Sequence, residues 1–170
     1  ETVMVLKQKN YLHNLKTFSN YLKKHNLDIA PHGKTTMAPQ IFSEQIKHGA
    51  WGITAGAINQ IQVMFDFGIK KVLLANQLLG KSHLETIASY IKQNKNFSFY
   101  CFVDSIEQFL NIKKNLGDQN LTNPINLLPE VGAENGRTGI RKKEDFLKLV
   151  NIIGEDSSKN FTFAGISSYE

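Results

Sequence analysis

Lys34 stands in Pro31-His32-Gly33-Lys34-Thr35-Thr36, directly after the short apolar run Leu27-Asp28-Ile29-Ala30. A lone amine at the mouth of a strand suits Schiff-base chemistry with a carbonyl compound. Pro31 breaks any helix at this point and the flanking hydroxyls offer hydrogen bonds. Gly33 is expected to let a flat ligand approach the backbone. A phosphate-cradling P-loop is excluded by counting, because the residue five places before Gly33 is Asp28 where that motif needs glycine.

A single lysine in a strand-to-helix loop is ordinarily a solvated surface group, and what raises this one is its company. In parallel α/β architectures ligands bind at the carboxyl ends of the strands. The residues expected there are His32 and Lys34, then Thr54, Asn76 with Gln77, Asp104, Glu134 to Arg137, and Tyr169. Each has a plain structural role when taken alone: Asp104 as a helix cap, Asn76-Gln77 as turn residues, Tyr169 as a core wedge. Together they make a polar ring around a bound ligand. Gly132-Ala133-Glu134-Asn135-Gly136-Arg137-Thr138-Gly139 is a glycine-rich loop that presents one cation. Its glycine spacing is not that of a dinucleotide fingerprint, and its arginine suits a phenolate or carboxylate. The five histidines His13, His25, His32, His48 and His83 show no metal-ligand spacing and no partner cysteine.

The elements that position these residues follow a regular beat. Thr2 to Leu6 reads as a strand, followed by a helix with Tyr11, Leu12, Leu15, Phe18 and Leu22 on one face. Leu27 to Ala30 is the first strand of the βα beat, and Pro39 opens a helix ending near His48-Gly49. Gly52 to Ala55 is the next strand, and Ile58, Ile61, Met64 and Phe65 mark a helix up to Gly68. Lys71 to Asn76 is a buried strand, with a helix from Ser82 to Gln93 after it. Phe97 to Asp104 follows, with Asp104-Ser105 capping a helix that carries Ile106, Phe109, Leu110 and Lys113. Ile125 to Val131, a helix from Glu144 to Ile153, and Phe161 to Ile166 complete the series. Continuous apolar strands alternating with amphipathic helices mean a parallel sheet covered by helices. A closed (β/α)8 barrel takes about eight strands and about 250 residues. Six strands in 170 residues therefore leave either an unclosed barrel wall or a complete open sheet.

The chain carries a formal charge of +5, 41% hydrophobic residues and one cysteine, Cys101, set in an apolar run. The composition is that of one globular domain, and no disulfide can form within the chain. Its lysines are scattered in pairs such as Lys23-Lys24, Lys70-Lys71 and Lys113-Lys114, without the aromatic interleaving of a nucleic-acid surface. No apolar stretch reaches the roughly 20 residues that cross a bilayer. We therefore expect a cytoplasmic protein with neither nucleic acid nor membrane as partner.

Pro31-His32-Gly33-Lys34-Thr35-Thr36-Met37-Ala38-Pro39-Gln40, Gly49-Ala50-Trp51-Gly52-Ile53-Thr54, Val72 to Gln77 and Gly136-Arg137-Thr138-Gly139 resemble one family, and Ala164 to Glu170 matches its sixth-strand signature. It is the pyridoxal-phosphate (PLP) fold-type III group with an alanine-racemase-like N-terminal barrel, in the branch of D-threonine aldolases, D-serine dehydratases and related amino-acid deaminases. The resemblance implies a TIM (β/α)8-type barrel, here truncated to about six βα strands. It places residues 1–8 in a second, C-terminal β-domain and residues 9–170 in the partial PLP-binding barrel. It makes Lys34 the Schiff-base lysine and the base at the substrate α-carbon. Arg137 would face the cofactor 3-oxygen and Tyr169 the pyridine nitrogen, with His32, Gln77 and Thr54 shaping the pocket. The cofactor is pyridoxal 5'-phosphate, and a divalent metal would come through the C-terminal domain. The implied activity is a D-amino-acid lyase, dehydratase-deaminase or aldolase, working as a homodimer on a small amino acid. A racemase of the same fold and a non-enzymatic PLP carrier are the alternatives. The 170-residue chain alone is expected to be inactive.

Overall fold

The computed structural model describes residues 5–169. Among the described residues are six α-helices: α1 (Gln8–His25), α2 (Pro39–Lys47), α3 (Ile58–Asp66), α4 (Lys81–Gln93), α5 (Ile106–Leu116) and α6 (Lys143–Gly154). They alternate with β1 (Ile53–Ala55), β2 (Lys71–Gln77), β3 (Ser98–Val103), β4 (Ile125–Gly132), β5 (Phe161–Phe163) and β6 (Ser167–Tyr169). Neighbours in the sheet follow chain order from β1 to β5, every pairing is parallel, and β6 also pairs with β4. Sequential order without reversal is the barrel expectation. Among the described residues the wall does not close on itself, as a truncated barrel requires.

The register explains why the strands read as continuous apolar runs. Ile53, Val72, Phe99, Ile125 and Phe161 lie side by side in one row, and Thr54, Leu73, Tyr100, Asn126 and Thr162 in the next. The first row, with Leu74, Cys101, Val103 and Leu127, is buried under Met64, Ile87, Ile91, Phe109, Ile112 and Leu149 of the helices. On the opposite face, which an intact barrel turns inward, Leu73, Tyr100, Phe102 and Leu128 are half-buried. The inner face mixes these apolar groups with Thr54, Asn126 and Thr162, and only the outer face is packed.

The helix ends follow the expected chemistry. Pro39 sits at the first position of α2. Gly49 and Gly68 turn the chain at φ +96 and +76 after α2 and α3. On α5 the buried positions are Gln108, Phe109, Ile112 and Leu116, while the expected face residue Leu110 is half-exposed.

Two strand readings are corrected. Leu27 to Ala30 runs alongside β1, accepting Trp51 N–H at Ile29 O (2.8 Å) and Thr54 N–H at Pro31 O (2.8 Å), yet it holds only an isolated bridge from His32 to Thr54. Pro31 has no N–H to return to a ladder, so the pairing stays one-sided. The expected strand Phe161 to Ile166 breaks into β5 and β6, because Gly165 at φ +144 kinks the chain between them. Of the expected strand Thr2 to Leu6, Val5 and Leu6 are irregular and exposed, and the rest lies outside the described residues.

Candidate active site

Lys34 lies in the middle of a single 3-10 turn, Gly33–Thr35. The turn starts from His32, whose Nδ1 accepts the Lys34 backbone N–H at 3.4 Å, and Met37 N–H closes it onto Gly33 O at 2.9 Å. Thr54 anchors it from the sheet, its buried hydroxyl donating to Ala30 O at 2.7 Å. The Lys34 side chain is exposed, on the side where the inner face of the sheet stands open. The His32 imidazole titrates below its ordinary range: burial disfavours its charged form, the Lys34 charge adds to this, and a hydrogen bond with the Thr54 backbone opposes both.

Gly33 does not have the role the sequence suggested. It is buried, and a Cβ there would come within 2.7 Å of Met64 Cε and 2.9 Å of the Phe42 ring. Its missing side chain admits the core, not a ligand. The residue that leaves space beside Lys34 is Gly56, just past β1. A Cβ added there would meet Gln60 Oε1 at 3.6 Å, His32 Cε1 at 3.7 Å and Lys34 Cδ at 3.8 Å.

From Gly56 a chain of hydrogen bonds runs along the carboxyl ends of the strands. Asn76 Nδ2 donates to Gly56 O at 3.3 Å. Gln77 Nε2 donates to Asp104 Oδ2 at 2.9 Å and, more weakly, to Glu130 Oε2 at 3.4 Å. Asp104 is not the helix cap; Ser105 caps α5, its Oγ accepting from Gln108 N at 3.1 Å. That leaves the Asp104 carboxylate free to take Gln77 and the Gly139 backbone N–H, the latter at 3.4 Å.

Glu130 is 1% exposed although it is charged in water. It stands on the inner face two residues beyond Leu128, and it accepts from Thr138 Oγ1 at 3.0 Å. Burial pushes its carboxyl up, Asp104 adds to that, and the bond from Thr138 with the charges of Arg137 and Arg141 pulls the other way. The glycine-rich loop folds back on β4 through Ile140 N–H to Glu130 O (2.7 Å) and Gly132 N–H to Ile140 O (3.0 Å). Arg141 fills the inside of the loop, donating to the carbonyls of Gly136, Thr138 and Gly139. Arg137 is exposed and makes no hydrogen bond or ion pair among the described residues. Tyr169, on β6 beside Gly132, is exposed on the same rim.

The structure thus brings Lys34 and His32 together on one turn against Thr54 of β1, with Gln77 and Tyr169 on strand ends and Arg137 on the loop after β4. Sequence reasoning missed Gly56, Glu130 and Arg141. The alternation Asn126, Leu128, Glu130 was the one signal that put a carboxylate on the inner face. Among the described residues no three His, Cys, Asp or Glu side chains converge on a metal position, and no helix is long and apolar enough to cross a membrane.

Comparison with known proteins defines the architecture as that of the alanine-racemase-type barrel, PLP fold type III, in agreement with the motif resemblance. Among solved structures, D-threonine aldolase from Filomicrobium marinum is 25% identical with a TM-score of 0.85, and it covers 95% of this chain and 42% of its own. D-threo-3-hydroxyaspartate dehydratase from Delftia sp. HT23 superposes at a TM-score of 0.79 with 17% identity, over 95% of this chain and 41% of that one. Alanine racemase from E. faecalis gives 0.72 with 14% identity, over 91% of this chain and 42% of that one. In sequence, the D-threonine aldolase of an Arthrobacter species is 23% identical over 156 residues, which are 92% of this chain and 39% of that protein. The chain therefore spans about two fifths of the length of these relatives. No protein-family model matches it.

Proposed function

We propose that the intact protein is a PLP-dependent enzyme acting on D-amino acids, most simply a lyase that eliminates water from, or cleaves, a β-hydroxy amino acid. The observation that carries this reading is Lys34 itself: an exposed amine on a fixed turn, its stem passing over the bare Cα of Gly56. That is a donor set and a space suited to a flat aldehyde cofactor. PLP, when bound, supplies the electron sink for carbanion chemistry at the substrate α-carbon.

The residues of this chain supply the rest. Lys34 Nζ would hold the cofactor covalently and, once freed, would be placed to act as base at the substrate α-carbon. The Arg137 guanidinium, with no protein partner among the described residues, would pair with the phenolic 3-oxygen through its fork of donors. The Tyr169 phenol, exposed on β6 beside Gly132, would face the ring nitrogen, where a neutral partner would leave the ring less electron-withdrawing than an acid would. His32, depressed in basicity, stays neutral at physiological pH beside the lysine. The sequence and fold likeness to D-threonine aldolases supports the lyase, and the likeness to dehydratases is of the same kind.

A racemase is the second reading, favoured by alanine racemase and histidine racemase among the fold neighbours. Keto-acid and aldehyde release from D- and L-serine and D- and L-threonine separates the two. Equal turnover of both hands without product release rejects the lyase. For the site, the intact protein with PLP is expected to show a visible absorbance band that borohydride removes and fixes on Lys34. Lys34→Ala abolishes the link and leaves the fold intact, because an exposed loop amine contributes little packing. Reduced cofactor mapped to another lysine, such as Lys47 or Lys81, would end the assignment.

A further inference from the structure

Glu130 presents a problem that the proposed chemistry does not use. A carboxylate 1% exposed has lost its water, and such a group persists only where protein donors replace it. The two donors that reach it come from opposite directions. Thr138 Oγ1, on the loop, bonds Oε1 at 3.0 Å, and Gln77 Nε2, on the end of β2, reaches Oε2 at 3.4 Å. The same Gln77 nitrogen bonds Asp104 Oδ2 at 2.9 Å, and that oxygen also receives the loop backbone at Gly139 N–H. The glycine-rich loop is therefore held on both sides of the Thr138-Gly139 peptide by carboxylates from two different strands, and Gln77 ties those carboxylates to each other. Arg137 immediately precedes this clamped pair.

Register makes the arrangement specific. β2 shifts its pairing with β3 between Leu74 and Gln77, so that Gln77 pairs with Phe102. The irregularity lets the Gln77 amide reach Asp104 and Glu130 on the next two strands. Without it the two acids would face each other with no donor between them.

We propose that Glu130 and Asp104, bridged by Gln77, form a latch that clamps the loop at Thr138 and Gly139 and so positions Arg137 for the cofactor. Glu130 and Asp104 are positioning residues, acting through Arg137. The cofactor half of this inference rests on the reading under Proposed function; the latch does not.

The test uses the intact protein and two readouts. The first is the rate of tryptic cleavage after Arg137 and Arg141, which follows the population of the opened loop when opening is fast relative to cleavage. Thr138→Val, which removes one bond at nearly constant shape, is expected to raise that rate about fivefold. Glu130→Ala, which removes the same loop bond together with the tie to Gln77, is expected to raise it at least about fivefold. Thr138→Ser, which keeps the hydroxyl, restores the parent rate. The urea midpoint of Thr138→Val falls by no more than that one bond accounts for, and cleavage outside the loop stays at the parent rate, which separates a local latch from general destabilisation. The second readout is PLP affinity by absorbance titration. It weakens in the order of the cleavage rates, because apparent affinity falls with the fraction of molecules in the competent pose.

Unchanged cleavage in Thr138→Val and Glu130→Ala would overturn the latch. So would cleavage that rises at sites throughout the chain. A loop that opens while PLP affinity holds would overturn the positioning of Arg137. Should Glu130→Ala fail to fold, the Thr138→Val and Thr138→Ser pair decides alone. A parent protein that binds no PLP would overturn the proposed function, and the protease readout would still judge the latch.

Discussion

Replacing Gly33 by alanine tests whether the glycine beside the candidate catalytic lysine serves the core or a ligand. Its φ is not positive, so alanine can adopt the 3-10 turn without backbone strain. On that ground alone the change would stabilise by about 0.4–1 kcal/mol, through a less flexible unfolded chain. Against it stands the packing. The new methyl would lie 2.7 Å from Met64 Cε and 2.9 Å from two atoms of the Phe42 ring, both residues being fully buried. The methionine methyl is the end of a flexible chain and can move aside. The phenylalanine ring has to shift as a plate, and overpacking of this kind costs about 1–3 kcal/mol. The packing term is the larger, so Gly33→Ala is expected to lose about 1–2 kcal/mol net. Urea unfolding of the intact protein measures it as a lower midpoint with unchanged slope. Phe42→Leu should make room, so the double variant should lose less than the sum of the two single changes. A Gly33→Ala protein as stable as its parent, with weakened PLP binding, would refute the packing argument and restore the ligand-approach reading.

Two further outcomes follow from charges and backbone. Burial raises the Asp156 carboxyl, but the Lys113 ammonium 2.6 Å away and two bonds from Ser158 outweigh it and hold the group below the ordinary carboxylate range. A value lower in the folded than in the unfolded chain means that this stability is present above the usual carboxylate range and is lost as pH falls through the folded value. Lys113→Met should therefore cost about 2 kcal/mol at neutral pH and shrink the loss on acidification; equal acid sensitivity in both proteins, measured as unfolding midpoint against pH, would contradict this. Gly139 has φ +90 and would place a Cβ 2.6 Å from Gly132 N, so Gly139→Ala should cost about 1–3 kcal/mol of strain and expose Arg137 and Arg141 to trypsin, an outcome that resistance of the loop would rule out.

The elements were legible where neighbouring residues in the chain decide the outcome. Val72 to Ala75 and Phe97 to Val103 are apolar on both faces, which a parallel sheet under helices requires, and the structure aligns them in chain order. Lys34 was legible because its turn is local: Pro31, Gly33 and the hydroxyls lie within five residues of one another. Gly33 shows the limit of that locality. Its neighbours in sequence suggested a ligand, but the atoms that exclude a side chain belong to Phe42 and Met64, 9 and 31 positions later.

The same limit hid the acids. Asp104 beside Ser105 reads as a cap in any single-chain pattern, and only the pairing of three strands shows its carboxylate turned toward Gln77 and Gly139. Glu130 follows Pro129 at the end of an apolar run and reads as a solvated strand end. Its burial depends on Gln77, 53 residues earlier, and on a loop that returns eight residues later with a hydroxyl at the right position. Sequence spacing therefore finds a candidate residue when a local motif holds it, whereas the residues that set its surroundings are chosen by register. A change at Gln77 should consequently raise tryptic cleavage after Arg137 more than a change at the exposed Glu134 or Asn135, because Gln77 touches both acids that hold the loop.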